Sequence, residues 1–454
     1  MSDRVFRASL GAAAVVGVAL RLFHIRRYHT GDVAFGDAET YRLLAGVLAD
    51  GEGYIRPRAL LFEGERVATA EFPPLWPMLL AALDLIGLDG ASEQRALGAL
   101  LGGVTIVVVG LLATSLADRR VGILAAALTA AHPQLVVLDT SLLAEGLAVA
   151  LVSTALLGVV RARAADGGPL GAEGRRWWLL AAVALGLGAL TRSEIVLLAV
   201  VLVVPACRVP DRRVWARTAA LGLAGVAVCV GGWTIRNAIS LDVVQPFTNN
   251  SGTLIAGANC DAVYGGSQIG LWRLDCVTAL DTAGLDESAA SSQRRSAGVE
   301  YALDHITDLP AVGTVRILRT FGAWDIRSQL FFESLEGRDY DWLWAGWFAW
   351  LGLAAAAIGG MARADRDGWR ACWPLVVPLS VVVFTALVSY GNSRFRAVAE
   401  PGVIVLAAIG VVACSTDAVR AGKRLRGRRS ARRLATRPPT SRPGRLDPPR
   451  RDGR

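Results

Sequence analysis

Charge is scarce in this chain of 454 residues. Asp, Glu, Lys and Arg make up 19% of it, while 53% is hydrophobic and the mean hydropathy is +0.42. A soluble domain carries roughly a quarter charged residues. Charges are missing altogether from 96–117, 343–362 and 371–393. Each of these runs is long enough to cross a hydrocarbon core of about 30 Å. A soluble enzyme, a disordered chain and a secreted disulfide scaffold are excluded. Lysine is nearly absent, with Lys423 alone among 48 basic residues. With the richness in Ala, Val, Gly and Arg, this reads as the coding bias of a GC-rich bacterial genome. No internal repeat is visible.

The net charge of +9 misleads if read whole. From residue 420 onward there are 14 basic residues against Asp447 and Asp452. The basicity therefore belongs to a tail, and the body calls for no nucleic-acid partner. The tail, 417–454, contains Pro438-Pro439 and Pro448-Pro449 among its arginines. It cannot bury a core and is expected to be disordered, held to anionic lipid on the cytoplasmic side.

The first apolar run, 8–20, follows Arg4 and Arg7 and leads into Arg21, Arg26 and Arg27 without a small-residue cleavage site. It reads as an uncleaved span. Further spans are expected at 96–117, 121–138, 140–160, 177–191, 195–207, 218–235, 343–362, 371–390 and 401–416. The stretch 177–207 is one long crossing or a hairpin of two. At 1.5 Å per residue it would run about 46 Å, too long for one ordinary crossing. Arginine placement decides for the hairpin. With both termini cytoplasmic, Arg119, Arg120, Arg161, Arg163, Arg175, Arg176, Arg212, Arg213, Arg363, Arg366 and Arg370 fall in inside loops. The expected fold is an all-α polytopic membrane protein of about ten transmembrane helices, one domain over 1–416. Its outer loops are about 26–95 and 236–341. In the first, 75–88 reads as a helix lying at the interface. In the second, 288–323 has helical periodicity through Val299, Leu303, Ile306, Val312, Val315 and Leu318.

Cys207, Cys229, Cys372 and Cys414 lie in or at the ends of spans and read as small apolar residues. Cys260 and Cys276 share the second outer loop, on a disulfide-permissive face, and are expected to pair. The four histidines are scattered and make no metal signature, so no metal site and no cofactor is expected.

Charges near the membrane carry the functional signal. On the outer side these are Asp37, Glu39, Glu71, Asp139, Glu145, Arg192, Glu194, Arg236, Arg394, Arg396 and Glu400. Acids and arginines from five separate segments converge on one face, which points to an outward-facing active site. Each also has a structural reading. Asp37 is a natural N-cap for a helix over 38–50, which would turn Tyr41 outward. Glu145 suits the start of a helix. Arg192 and Glu194 suit an ion pair, and Arg394 and Arg396 suit lipid headgroups.

Six motifs in order carry a family likeness: GDAETY (36–41), EFPPLWPMLLA (71–81), LLAEGLAVAL (142–151), GALTRSEIVLLA (188–199), GGWTIRNAISL (231–241) and SRFRAVAEP (393–401). The chain resembles the GT-C fold integral-membrane glycosyltransferases, of the branch containing protein O-mannosyltransferases and the lipid A aminoarabinose transferase. The likeness spans about 5–416. The acidic pair is Asp-x-Glu rather than an adjacent Asp-Glu, so the likeness does not assign protein mannosylation. Val398 stands where the last motif usually has proline.

The resemblance implies a sugar donor on polyprenyl phosphate and an acceptor hydroxyl, with inversion at the anomeric carbon. The acceptor would be an envelope glycan, a glycolipid or a protein. Asp37 would be the base, with Glu39 in reserve. Arg192, Arg236, Arg394 and Arg396 would hold the donor phosphate, because the guanidinium fork suits it. Glu71, Glu145 and Tyr41 complete the candidate set. A silent membrane scaffold and a transporter are the competing classes. A transporter would place charges near the bilayer midplane on broken helices, often in inverted repeats.

Overall fold

The computed structural model describes residues 1–29, 36–206 and 211–415. The expected tail and Cys207 lie outside them. Among the described residues the architecture is helical, with one isolated antiparallel bridge between Ile55 and Ala68. Helix α1 (Asp3–Tyr28) is followed by the short α2 (Asp37–Ala49) and α3 (Leu75–Asp84), then by the long α4 (Ala91–Leu116). Next come α5 (Arg119–Ala131), α6 (Pro133–Thr140), α7 (Glu145–Ala164), α8 (Ala172–Ala189), α9 (Ile195–Ala206) and α10 (Arg212–Leu241). A layer of short helices follows: α11 (Ser251–Ala258), α12 (Asp261–Tyr264), α13 (Leu274–Thr278), α14 (Glu287–Asp304), α15 (Leu309–Thr320) and α16 (Ile326–Ser334). The chain then returns through α17 (Tyr340–Met361), α18 (Arg366–Val388) and α19 (Ser393–Ser415).

Seven of these, α1, α4, α7, α10, α17, α18 and α19, are long and apolar enough to cross a membrane, or eight if α5 and α6 count as one span. Of the ten expected crossings, α8 and α9 fall short of this length and composition, and α5 with α6 counts only as one bent span. The hairpin itself is present. However, α8 carries Glu173, Arg175 and Arg176, and α9 has 12 residues, about 18 Å of helix. The two still pack inside the bundle, where the Trp178 indole N–H donates to the Thr218 carbonyl at 3.0 Å.

Local chemistry sets the breaks. Pro133 forbids the helical conformation at the residue before it. His132 is extended (φ −69°, ψ 112°), and α5 and α6 meet at 55°. Aspartates cap α5, α10, α17 and α18 at Asp118, Asp211, Asp339 and Asp365, accepting backbone N–H bonds that the first turn would leave unmade. Arg21 does not close the first span; α1 continues to Tyr28. Arg21 Nε meets Asp139 Oδ2 at 2.6 Å with both side chains buried, so two charges a bilayer would reject neutralise one another. Gly102 makes the room: a Cβ there would stand 2.2 Å from Arg21 Nε.

The layer between α10 and α17 packs differently from its periodicity. Val312 and Val315 are buried, but Val299, Leu303 and Ile306 are exposed. Helix α14 turns small residues inward instead, because a Cβ on Gly298 would come within 2.7 Å of the Ile255 carbonyl. Close backbone approach takes the place of a side-chain stripe there. Cys260 and Cys276 are disulfide-bonded, with Cα atoms 6.2 Å apart. Replacing both with serine should lower stability by about 3 kcal/mol, the closure entropy of a loop of this size. Denaturant titration of the purified protein against the double variant measures it.

Candidate active site

Gly36 precedes α2 with φ +87°, a conformation natural to glycine, and its N-cap position provides no side-chain cap. Asp37 is the first residue of the helix, not its cap, and its carboxylate turns elsewhere. Asp37 Oδ2 accepts from Arg394 Nη1 at 3.1 Å. Glu39, two residues on, points to another face and pairs with Arg58 at 2.6 Å. Tyr41 is buried and does not face outward as the cap reading would have it; its ring packs on Phe72, with centroids 4.8 Å apart. Burial raises the Tyr41 phenol well above its ordinary range, and the charges of Asp37 and Glu145 push the same way.

Arg394 is the hub. Asn392 caps the 3-10 turn that opens α19 by accepting from the Arg394 backbone N–H at 3.0 Å. The guanidinium then reaches Asp37, Glu336 at 3.4 Å and Glu145 at 3.5 Å, and Nη2 lies 3.4 Å from the Tyr390 hydroxyl. Glu145, in the first turn of α7, also pairs with Arg192 between α8 and α9. Arg192 holds Glu194 as well, at 2.5 Å. Five segments thus join in one chain of charges. The depth is graded: the Asp37 side chain is 36% exposed, Arg394 12% and Glu145 3%. Asp37 meets solvent, while Glu145 fixes the two arginines from below.

The remaining candidates lie apart from this hub. Arg236 donates to the backbone carbonyls of Tyr54 and Thr69 and lies over the rings of Trp233 and Tyr54, clamping the loop before α3 onto α10. Arg396 is buried, bonded to Glu400 at 2.7 Å and stacked over Trp350; Glu400 also meets His132 Nε2 at 3.0 Å. Neither Arg394 nor Arg396 has the exposure of a headgroup anchor. Asp139 belongs to the Arg21 pair.

Glu71 lines a second hollow with Glu287, Arg56 and Asn249. Its side chain touches solvent, but protein crowds it. Burial, then the charge of Glu287, push its carboxyl up to about 7. A raised carboxyl favours the native state at low pH and loses that contribution as pH rises through the native value. Glu71→Gln should therefore match the parent near pH 4.5 and melt higher than it above pH 7. Thermal unfolding across that window checks the sign.

Glu336, Tyr390, Glu333 and Arg338 were not singled out in the sequence. Arg338 pairs with Glu336 at 2.8 Å and with buried Glu333 at 3.4 Å. Glu333 in turn accepts from the Ser393 backbone and hydroxyl at 2.8 and 2.6 Å, locking the entry to α19. Two signals were present: acids crowd the polar strip just before the aromatic-rich α17, and Tyr390 sits four residues before Arg394.

Asp37, Glu145 and Glu336 each face a guanidinium, and among the described residues no three His, Cys, Asp or Glu side chains are grouped to hold a metal ion.

An all-helical membrane bundle with a charged hub at its helix ends has the fold of the GT-C glycosyltransferases, the class its motifs resemble. Residues 71–233 match the family model of dolichyl-phosphate-mannose-protein mannosyltransferases. The apo oligosaccharyltransferase of Archaeoglobus fulgidus superposes with a TM-score of 0.53 at 16% identity, covering 93% of this chain and 52% of that one. The chain thus spans about half the length of that enzyme. The same organism's oligosaccharyltransferase AglB, in complex with an inhibitory peptide and a dolichol-phosphate, aligns over 92% of this chain and 52% of its own at a TM-score of 0.48 and 17% identity. ArnT from Cupriavidus metallidurans aligns over 90% and 78% at 0.41 and 13% identity. No curated protein matches the sequence.

Proposed function

We propose that the chain transfers a sugar from a polyprenyl-phosphate carrier to a hydroxyl of a cell-envelope acceptor, at the outer face of a bacterial plasma membrane. The observation that carries this is the Arg394 hub, which joins a reachable carboxylate to two arginines at the ends of the bundle. Asp37 Oδ2 takes the proton of the acceptor hydroxyl. The freed oxygen attacks the anomeric carbon from the face opposite the leaving group, and the bond from that carbon to the phosphate oxygen breaks. The carrier leaves as polyprenyl phosphate, and the charge developing on it falls to guanidinium donors. Arg394 has five N–H donors, and its Nη2 end meets only the Tyr390 hydroxyl. That end of the fork, with Arg192 behind Glu145, is the phosphate contact. Arg236 and Arg396 support the loop and the core around it. Glu39 serves the Arg58 pair rather than the chemistry.

The assay is transfer of labelled sugar from a synthetic polyprenyl-phosphate donor by the purified full-length protein. Transfer supports the proposal; a protein that neither binds nor consumes any such donor overturns it. A scaffold would keep its cellular role when Asp37 is replaced, and a transporter would move solute without breaking the donor bond.

Sidedness has its own test. Cytoplasmic termini and outer loops over 26–95 and 236–341 predict that a reporter active only outside the cytoplasm works at Leu285 and is silent at Ala421. The reverse pattern would turn the site inward.

A further inference from the structure

Beside the hub lies a cavity of about 490 Å³ whose lining includes Trp272, Arg273, Phe332, Glu336, Tyr390 and Asn392. It shares Glu336 and Tyr390 with the Arg394 contacts. We infer that this cavity is the acceptor subsite and that it takes a saccharide. The inference rests on the glycosyltransferase reading above and names the acceptor class for that site.

The lining chemistry makes the choice. Trp272, Phe332 and Tyr390 are half-buried and line the cavity. Flat aromatic faces suit the C–H face of a sugar ring, and the surrounding polar atoms suit its hydroxyls. Asn392 provides an amide, and Asp275 and Glu336 provide acceptors. Leu271, Leu274 and Leu335 complete the lining with apolar surface. An anionic phosphate is disfavoured. Arg273 is the one cation in the lining, and both oxygens of Asp275 hold it, at 2.8 and 2.7 Å. The donor phosphate therefore belongs on the Arg394 side and the uncharged polyol on this one.

The wall is also rigid before anything binds. The Cys260–Cys276 disulfide ties its outer rim. The Trp272 indole N–H donates to the Thr253 carbonyl at 3.1 Å, and the Arg273 backbone N–H to the Gly257 carbonyl at 2.9 Å. Gly391, on the facing wall, donates to the Gly270 carbonyl at 2.8 Å. A preformed site loses little freedom on binding, which suits a weakly held, neutral ligand.

The test is ligand-observed saturation-transfer NMR on the detergent-purified full-length protein, with a mixture of methyl hexopyranosides and methyl pentofuranosides as probes. Transfer to ring C–H protons is expected. It should fall about fivefold in Phe332→Ala and in Trp272→Ala, the size of one lost aromatic contact, and recover in Trp272→Phe. Thr278→Trp, placed on an exposed lining residue, should block the cavity while giving up only two long hydroxyl bonds, to the Leu274 and Asp275 carbonyls at 3.3 Å. Binding of no probe, binding that survives both Thr278→Trp and Phe332→Ala, or displacement of the probes by a Ser/Thr-containing octapeptide would each overturn the saccharide assignment. Failure of the glycosyltransferase reading looks different: glycosides would bind while a polyprenyl-phosphate sugar was neither bound nor consumed.

Discussion

Asp37→Asn is expected to fold, stay monodisperse in detergent and lose sugar transfer by about 10²- to 10⁴-fold, the usual contribution of a positioned base. The geometry separates this from a structural role. Asp37 makes no side-chain cap to α2, so an amide there removes no helix-terminal bond. Its contact with Arg394 is one of three that the guanidinium makes to acids, and the buried one, to Glu145, is untouched. Asparagine still offers an oxygen to Nη1 but cannot take a proton. Donor binding should therefore change little while turnover collapses. Near-normal transfer by well-folded Asp37→Asn would remove the assignment. Glu39→Gln is the control: Glu39 is paired with half-exposed Arg58, and its replacement should leave the rate within about threefold, as for a surface pair.

Arg394→Lys should be almost as damaging, with loss in both donor affinity and turnover, about 10²- to 10³-fold in kcat/KM. Lysine keeps the charge but not the fork. One ammonium cannot meet Asp37, Glu336 and Glu145 together while leaving a donor for phosphate. Arg394→Ala goes further. It leaves Glu145, 3% exposed, with Arg192 alone, and truncating one partner of a buried charge network costs about 3–5 kcal/mol. The alanine variant therefore tests stability and chemistry together, and the lysine variant isolates the chemistry. If lysine restores kcat/KM, the guanidinium geometry is not what the reaction uses. Arg236→Lys is the comparison: it loosens the Tyr54–Thr69 clamp and should lower thermal stability more than kcat.

Much of the membrane architecture was legible along the chain, because burial in lipid is a property of composition. Uncharged runs of twenty residues specify crossings whatever their neighbours, and α4, α17 and α18 follow from them directly. The Arg192 hairpin was legible from length together with the placement of arginines in the flanking loops. The charged motifs singled out the helix ends where these side chains meet, because charge at a bilayer needs a reason.

Tertiary packing decided which of those charges meet. Asp37 and Glu39 are the same chemistry two residues apart, and only the docking of α2 beside α19 separates them. Asp139 and Glu145 both flank the start of α7, yet Arg21 claims the first and Arg192 with Arg394 the second. Arg236 and Arg394 carry identical forks, but one folds back onto backbone carbonyls and the other onto carboxylates. Glu336 and Tyr390 gain their place only when α16 and α18 end beside α19. The amino-acid sequence by itself determined that this is a helical membrane protein with its polar investment at one set of helix ends, because hydropathy and helical period are local. The partnership of residues 37, 145, 192, 336 and 394 was decided by the tertiary structure alone, because contacts across 47 to 357 positions follow from how helices pack.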